Sequence, residues 1–367
     1  MLALVTDAFG GRGGIAQYNR DFLGAVVNCG FVSSITVLPR LTHDPASPPE
    51  AIEQLPPRPA RIAYTLAALR AALCPPIGIV FCGHLYMAPL AALIARRAKA
   101  KLIVQMHGIE AWARPKRHQR AGVESANLVL CVSRYTRSRV LSWAAIEPER
   151  VMVLPNTVSE VFTPGKAAPL RRKWGLEGKR VLLTVGRMDS RERYKGHDRV
   201  IQALPQLVAA GHDIIYVVLG DGDDVSRLRA TAIGLGVADR VRFIGEVGRD
   251  ILVDAYRMAD LFVMPSTGEG FGIAFIEAMA CGTPALGLCV CGARDAFGNG
   301  ELGATTTEAE LPAAIMRLFA QAKPDPNVLA SSVRDRFGRG VFIAQLCGVM
   351  RRLLPTRSST SLPAAAA

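Results

Sequence analysis

Aromatic residues make up only 6% of the chain, and they are not interleaved with its basic residues. A nucleic-acid-binding surface is therefore not expected, although the formal net charge is +13. No run of about eighteen apolar residues occurs, so no segment reads as a transmembrane helix. The N-terminal MLALVTDAFGG has no basic leader, and Asp7 breaks its apolar run, so it does not read as a signal peptide. Of the eight cysteines (Cys29, Cys74, Cys82, Cys131, Cys281, Cys289, Cys291 and Cys347) only Cys289 and Cys291 lie close together. No second pair stands at metal-ligand spacing. The cysteines are read as buried or idle thiols in a reducing compartment, and no metal centre is expected. Repeats and a low-complexity core are also lacking. What remains is a globular cytoplasmic protein whose charge suits phosphates or an acidic lipid surface.

At 367 residues, the chain has room for two α/β domains. Apolar runs at 2–6, 34–38, 78–82, 101–106 and 128–132 read as strands, with helical patterns between them at 15–30 and 87–98. The Pro-rich piece 45–59 reads as a surface loop. A second alternating series follows, with strands at 180–185, 214–219, 241–244, 261–264 and 284–287 and helices at 197–210, 225–235, 251–258 and 274–280. The join falls in VLPNTVSEVFTPG, 153–165. Two doubly wound domains, 1–160 and 165–330, are expected, with a cleft between them. A last helix over 333–354 and a disordered tail, 355–367, complete the expectation.

Three segments carry chemistry. Gly10-Gly11-Arg12-Gly13-Gly14 precedes a helix, where backbone N–H groups can approach an anion; a turn without a ligand fits equally well. Val185-Gly186-Arg187 ends a strand, and Lys195-Gly196 follows. Arg187 offers a fork and Lys195 a point charge for a diphosphate. As a bare pattern a solvated charged loop fits better, but Gly186 permits close backbone approach. The third segment is the most specific: Pro265-Ser266-Thr267-Gly268-Glu269-Gly270-Phe271-Gly272-Ile273, continuing through Glu277 to Pro284. A strand ends in a glycine-rich turn that carries Glu269, and the amides of Phe271–Ile273 open a helix suited to phosphate. Glu277 lies in an otherwise apolar helix, where a carboxylate needs a partner.

Glu269 and Glu277, a carboxylate at each end of nine residues, resemble the Glu-x₇-Glu signature of family 4 retaining glycosyltransferases. The resemblance extends through GGIAQY (13–18), His107-Gly108, PNTVSEVF (155–162), VGRMDSRERYKG (185–196), GDGDD (220–224), RVRFIG (240–245) and MPSTGEGFGIAFIEAMACGTP (264–284). It implies the GT-B fold, two Rossmann-like domains facing across a cleft, with the last helix crossing back to the N-terminal domain. It implies that Arg187 and Lys195 hold the donor diphosphate, and that Glu277 holds the ribose. Glu269 would bind donor-sugar hydroxyls beside the amides of Phe271, Gly272 and Ile273. Phe243, Ile244 and Gly245 would cradle the base, and Gly13 and Gly14 would close over the phosphate. His107 would sit by the transferred sugar, and Tyr18 would face the acceptor region. Fixed cations and helix amides would meet the charge of the leaving diphosphate without a metal or other cofactor. Front-face substitution with retention is the expected mechanism, with the leaving phosphate taking the acceptor proton.

The resemblance also sets expectations about partners. GDP-mannose is the first expected donor and UDP-glucose or another UDP-hexose the second. The acceptor would be a glycan or a polyprenyl-diphosphate-linked chain in cell-surface polysaccharide synthesis. Basic clusters at Arg96, Arg97, Lys99 and Lys101, and at Arg114, Lys116, Arg117 and Arg120, suit peripheral contact with the inner face of the membrane; a solvated surface is the other reading. Asp221-Gly222-Asp223 mimics a metal-binding pair but reads as a turn. His197 and Asp198 read as helix-start residues, and His84 as structural or cleft-lining. The sequence departs from the family after Pro284, where ALGLCVCGARDAFGNGELG leaves Asp295 as the stand-in for a usual acidic residue. A sugar-nucleotide epimerase or a non-catalytic binding subunit are the competing readings; the latter would be expected to lose Lys195 or Glu269.

Overall fold

A computed structural model describes residues 1–44, 47–73, 76–166 and 168–354. Cys74 and the tail 355–367 lie outside the described residues. The first half runs β1 (Leu2–Val5), α1 (Gly13–Asn28), β2 (Ile35–Pro39), β3 (Ile52–Gln54), α2 (Arg61–Ala71), β4 (Ile79–Cys82), α3 (Ala88–Ala98), β5 (Lys101–Met106), α4 (Arg117–Glu124), β6 (Leu128–Cys131), α5 (Arg134–Leu141) and β7 (Val151–Val153). The second half runs α6 (Ala168–Lys173), β8 (Arg180–Val185), α7 (His197–Ala209), β9 (Ile214–Leu219), α8 (Val225–Gly234), β10 (Val241–Gly245), α9 (Arg249–Met258), β11 (Leu261–Met264), α10 (Ile273–Ala280), β12 (Ala285–Leu288), α11 (Ala293–Ala296), β13 (Ala304–Thr306) and α12 (Leu311–Ala320). Two further helices close the chain, α13 (Pro326–Phe337) and α14 (Arg339–Leu353).

The strands form two parallel sheets, of seven strands in the order β3-β2-β1-β4-β5-β6-β7 and of six in the order β10-β9-β8-β11-β12-β13. Helices cover both faces, so the inner strands are apolar throughout: β1, β4, β6, β9, β11 and β12 are buried at every position. Strand order reverses between β1 and β4 and again between β8 and β11. Ligands in such sheets bind at the carboxyl ends beside these reversals. The Gly-rich loop follows β1, the Arg187–Lys195 loop follows β8, and the Glu269 turn follows β11. All three segments singled out by sequence therefore sit at switch points.

Several expectations need correction. The described part of 45–59 contains β3. The expected helix over 333–354 is two helices, broken at Gly338, whose ψ of 157° is extended. The break lets Val158 N donate to the Phe337 carbonyl at 2.8 Å and Thr157 Oγ1 to the same oxygen at 2.7 Å. Two connecting strands of chain thus run side by side, and α14 crosses back to pack on α1. Cys29 and Cys347, read as thiols, are joined in a disulfide between α14 and the end of α1. They are 318 residues apart, and only the return of α14 brings them together.

Candidate active site

The two halves meet backbone to backbone at the expected site. A Cβ added to Gly108 would lie 2.6 Å from Gly270 Cα, and one added to Gly270 would lie 1.8 Å from the His107 carbonyl oxygen. Nearby, a Cβ on Gly14, in the first turn of α1, would come within 3.5 Å of Ile273 Cδ1 at the start of α10. Gly272 precedes α10 with φ +93°, where a Cβ would strike Phe275 at 2.4 Å. Among the described residues no side chain caps α10, which leaves its first amides free to face an anion.

Lys195 and Glu269 face each other, with Nζ 3.6 Å from Oε1 and side chains only 17% and 13% exposed. That separation attracts but is too long for a hydrogen bond. Glu269 Oε1 is buried and has no hydrogen-bond partner among the described residues. The Glu269 amide donates to Cys291 Sγ at 3.3 Å. Arg187 behaves differently from the expected clamp. Its side chain is 70% exposed, and Nη2 donates to Glu192 Oε1 at 2.5 Å. Lys195 therefore lies inside the site while Arg187 is held at its edge by a carboxylate.

Glu277 lies in α10 beside α9, and its Oε2 accepts a hydrogen bond from the Tyr256 hydroxyl at 2.8 Å. Burial pushes the Glu277 carboxyl up to about 7, partly offset by the Tyr256 bond and by Arg249. The Phe271 side chain turns inward, 2% exposed and edge-on to Phe337 at 5.4 Å, so only its backbone faces the cleft. Phe243 lies under the Arg229 guanidinium at 4.8 Å, Ile244 packs on the core, and Gly245 ends β10 at φ +87°.

His107 Nε2 lies 2.9 Å from the Gly83 carbonyl oxygen, so Nε2 carries the proton and Nδ1 is the acceptor. Burial pushes its pKa down to about 4, and the ring is neutral at pH 7. Tyr18 does not face an open acceptor region. It is 1% exposed, packed edge-on against His107 at 5.2 Å and Phe342 of α14 at 6.1 Å. The return of α14 covers it. The His84 Nδ1 accepts from the Tyr86 amide at 3.3 Å, and its ring lies 6.3 Å from that of His107. Asp223 accepts from the Ser190 amide at 2.6 Å and the Ser190 hydroxyl at 2.8 Å, which ties the GDG turn to the loop after β8. Asp295 bridges the halves, accepting from the Arg134 amide at 2.6 Å and from Arg134 Nε at 2.9 Å. Tyr256 and Arg134 escaped the sequence reading, and Cys291 entered it only as an idle thiol, because each acts through a partner distant in the chain.

The buried imidazoles have a consequence for stability. His107 and His197 are each pushed down by burial to about 4. Both are neutral when folded but bind a proton below about pH 6.5 when unfolded. Their contribution is present above that pH and is lost as pH falls toward 4, by as much as ~3 kcal/mol each. Denaturant midpoints should drop steeply from pH 6.5 to 4, and His197→Asn should flatten the slope. An unaltered slope in that variant would rule His197 out as a source.

Two parallel sheets that present phosphate-suited loops across a shared cleft define the GT-B class of fold. Residues 13–162 match the profile of Glycosyltransferase Family 4, and residues 167–338 match that of Glycosyl transferases group 1. The chain belongs to this glycosyltransferase family. It is 34% identical over 234 residues to a GDP-mannose-dependent alpha-(1-6)-phosphatidylinositol monomannoside mannosyltransferase of Mycolicibacterium smegmatis, covering 59% of this chain and 60% of that one. It is 33% identical over 263 residues to a D-inositol 3-phosphate glycosyltransferase of Acidothermus cellulolyticus, covering 66% of this chain and 57% of the relative. The chain thus matches only 60% and 57% of these relatives' lengths. In fold it is similar to HepE of Anabaena in complex with UDP and glucose, at TM-score 0.76 and 19% identity, over 95% of this chain and 98% of that one. It is also similar to sucrose-phosphate synthase of Thermosynechococcus elongatus, at TM-score 0.73 and 21% identity, over 96% of this chain and 98% of the other.

Proposed function

We propose that the protein transfers a hexose, with retention, from a nucleotide diphosphate sugar to a glycan or lipid-linked acceptor. The observation that carries this reading is the meeting of Lys195, Glu269 and the uncapped start of α10 with Gly14 and Gly108 of the other half. Lys195 and the α10 amides would meet the charge that develops on the leaving diphosphate, with Gly13 and Gly14 approaching from the opposite side. Arg187 would join by releasing Glu192. Glu269 Oε1 would accept from a donor-sugar hydroxyl, and Glu277 from the ribose. Phe243 and Ile244 would flank the base. His107, neutral, would contact the sugar by hydrogen bonding rather than by moving a proton. The proton of the acceptor would pass to the leaving phosphate.

GDP-mannose is the first donor, supported by the likeness to the GDP-mannose-dependent mycobacterial relative; a UDP-hexose is the second. A thermal-shift screen of GDP, UDP and their hexoses should give one compound that raises the melting temperature by a few degrees at ~100-fold excess over Kd. If none does, the donor-site reading is wrong.

A lipid-linked acceptor is favoured by one face of the first half. Between Gln54 and Val123 the chain has eleven lysines and arginines and one carboxylate, Glu110. Glu110 is used locally, accepting from the His107 amide at 2.5 Å. The same layer exposes Ile62 by 78%, Leu66 by 53% and Leu73 by 85%, on and just beyond α2, and Tyr86 by 66%. Apolar side chains among these cations, of which Arg120 is paired with Glu124 at 3.3 Å, suit an anionic bilayer surface. Among the described residues no helix is long and apolar enough to cross a membrane. The protein should sediment with vesicles containing anionic lipid at low salt, and Ile62→Ser with Leu66→Ser should weaken this about tenfold. Equal binding to neutral vesicles, or no binding to either, would remove this reading.

A further inference from the structure

Tyr256 lies in α9 and is fully buried, yet its only polar side-chain atom is committed to one partner across the core. The hydroxyl donates to Glu277 Oε2 at 2.8 Å, over a separation of 21 residues. The ring is fixed edge-on to Phe262 at 5.7 Å and to Phe162, in the connection between the halves, at 5.8 Å. The backbone is fixed too, since Thr283 Oγ1 donates to the Tyr256 carbonyl at 2.6 Å. A rotamer held on all sides presents its hydroxyl at one point only.

We propose that Tyr256 is a positioning residue for the donor: it binds one oxygen of Glu277 and so aims the other into the cleft at the donor's hydroxyls. The inference rests on the donor-site reading above. A carboxylate on a short helix has freedom about its last torsion. Fixing Oε2 removes that freedom before the ligand arrives, so less ordering cost falls on binding. The bond has an electrostatic effect as well. A hydroxyl donated to a carboxylate stabilises the charged form. Burial raises the Glu277 carboxyl to about 7, and Tyr256 and Arg249, both on α9, pull it down. Asp21 on α1 pushes it up. Cys281 lies one turn further along α10 with its thiol raised by burial, and Arg334 of α13 faces that thiol. Removing the hydroxyl should therefore raise the pH at which Glu277 becomes a charged acceptor.

The test is Tyr256→Phe, which keeps the ring and its packing. Affinity for GDP and for UDP is measured from pH 5.5 to 9 by calorimetry on the full chain, with Glu277→Gln in both backgrounds. The wild type should bind one of the two more tightly as pH rises through about 7. In Tyr256→Phe this rise should shift upward by about one pH unit, which makes binding about fivefold weaker at pH 7. The loss should appear in donor KM more than in kcat, and with Glu277→Gln the wild-type and Tyr256→Phe backgrounds should give one and the same profile. A Tyr256→Phe profile superimposed on the wild type overturns the proposal, as does a displacement between the two backgrounds that survives Glu277→Gln. If the wild type binds neither nucleotide, the donor-site reading itself fails. A general loss of structure would appear as a lower melting temperature and a lower kcat without a displaced profile, and that outcome also counts against positioning.

Discussion

Lys195→Ala is expected to lower kcat by about 10²–10³-fold while the protein stays folded. Lys195 is the cation that the fold holds inside the site, 17% exposed and 3.6 Å from Glu269. It follows β8 at the strand reversal, where the diphosphate would lie. A fixed charge in a place shielded from water acts more strongly on a developing phosphate charge than an exposed one. Arg187 is the internal comparison. It is 70% exposed and already paired with Glu192, so it must exchange one carboxylate for the donor phosphate. Arg187→Ala should cost about tenfold, with part of the loss in KM. Glu269→Ala should resemble Lys195→Ala, because it removes both the hydroxyl acceptor and the partner that holds Lys195. Initial rates with the donor found by thermal shift, together with circular dichroism of each variant, decide the matter. Full activity in both Lys195→Ala and Glu269→Ala would refute the proposed function. Equal losses in Lys195→Ala and Arg187→Ala would show that Arg187 turns inward when the donor binds.

The order of these effects was not legible in the sequence, although the residues were. Strands such as β8, β9 and β11 announce themselves because burial on both faces demands continuous apolar runs. Their carboxyl ends then locate Arg187, Lys195 and Glu269. The edge strands β3, β7 and β13 have three residues each, too few to show a period. Gly338 sits inside a helical pattern and gave no sign of a break; tertiary bonds from Val158 and Thr157 make it one. Charge pairing is equally invisible in one dimension. Nothing near Arg187 distinguishes Glu192 as its partner from other nearby carboxylates. Tyr256 reads as a core aromatic of α9, and only the packing of α9 beside α10 turns its hydroxyl to Glu277. The burial of Tyr18 is hidden from the sequence for the same reason, since α14 returns over it from a distant part of the chain.

Gly270→Ala should be as damaging as loss of a charged residue, through shape alone. The added Cβ would lie 1.8 Å from the His107 carbonyl oxygen and 3.1 Å from Gly108 Cα. Both obstacles are backbone, so no rotamer change relieves them. Either the turn that carries Glu269 shifts or the two halves separate, and each displaces Glu269 relative to His107 and the α1 glycines. A displacement of about 1 Å in a positioned site costs on the order of 100-fold in rate. Stability should fall less, because each half keeps its own buried cluster away from the contact. We expect kcat/KM to fall at least about 100-fold. Gly234→Ala, at the end of α8 with nothing within 4 Å of the added Cβ, is the matched control and should behave as wild type. Small-angle scattering would separate the two routes, since only parting of the halves enlarges the radius of gyration. Turnover of Gly270→Ala within about threefold of wild type would mean that the contact between Gly270 and His107 is absent from the working form. The cleft would then act from a more open arrangement, in which Glu269 reaches the sugar without support from the other half.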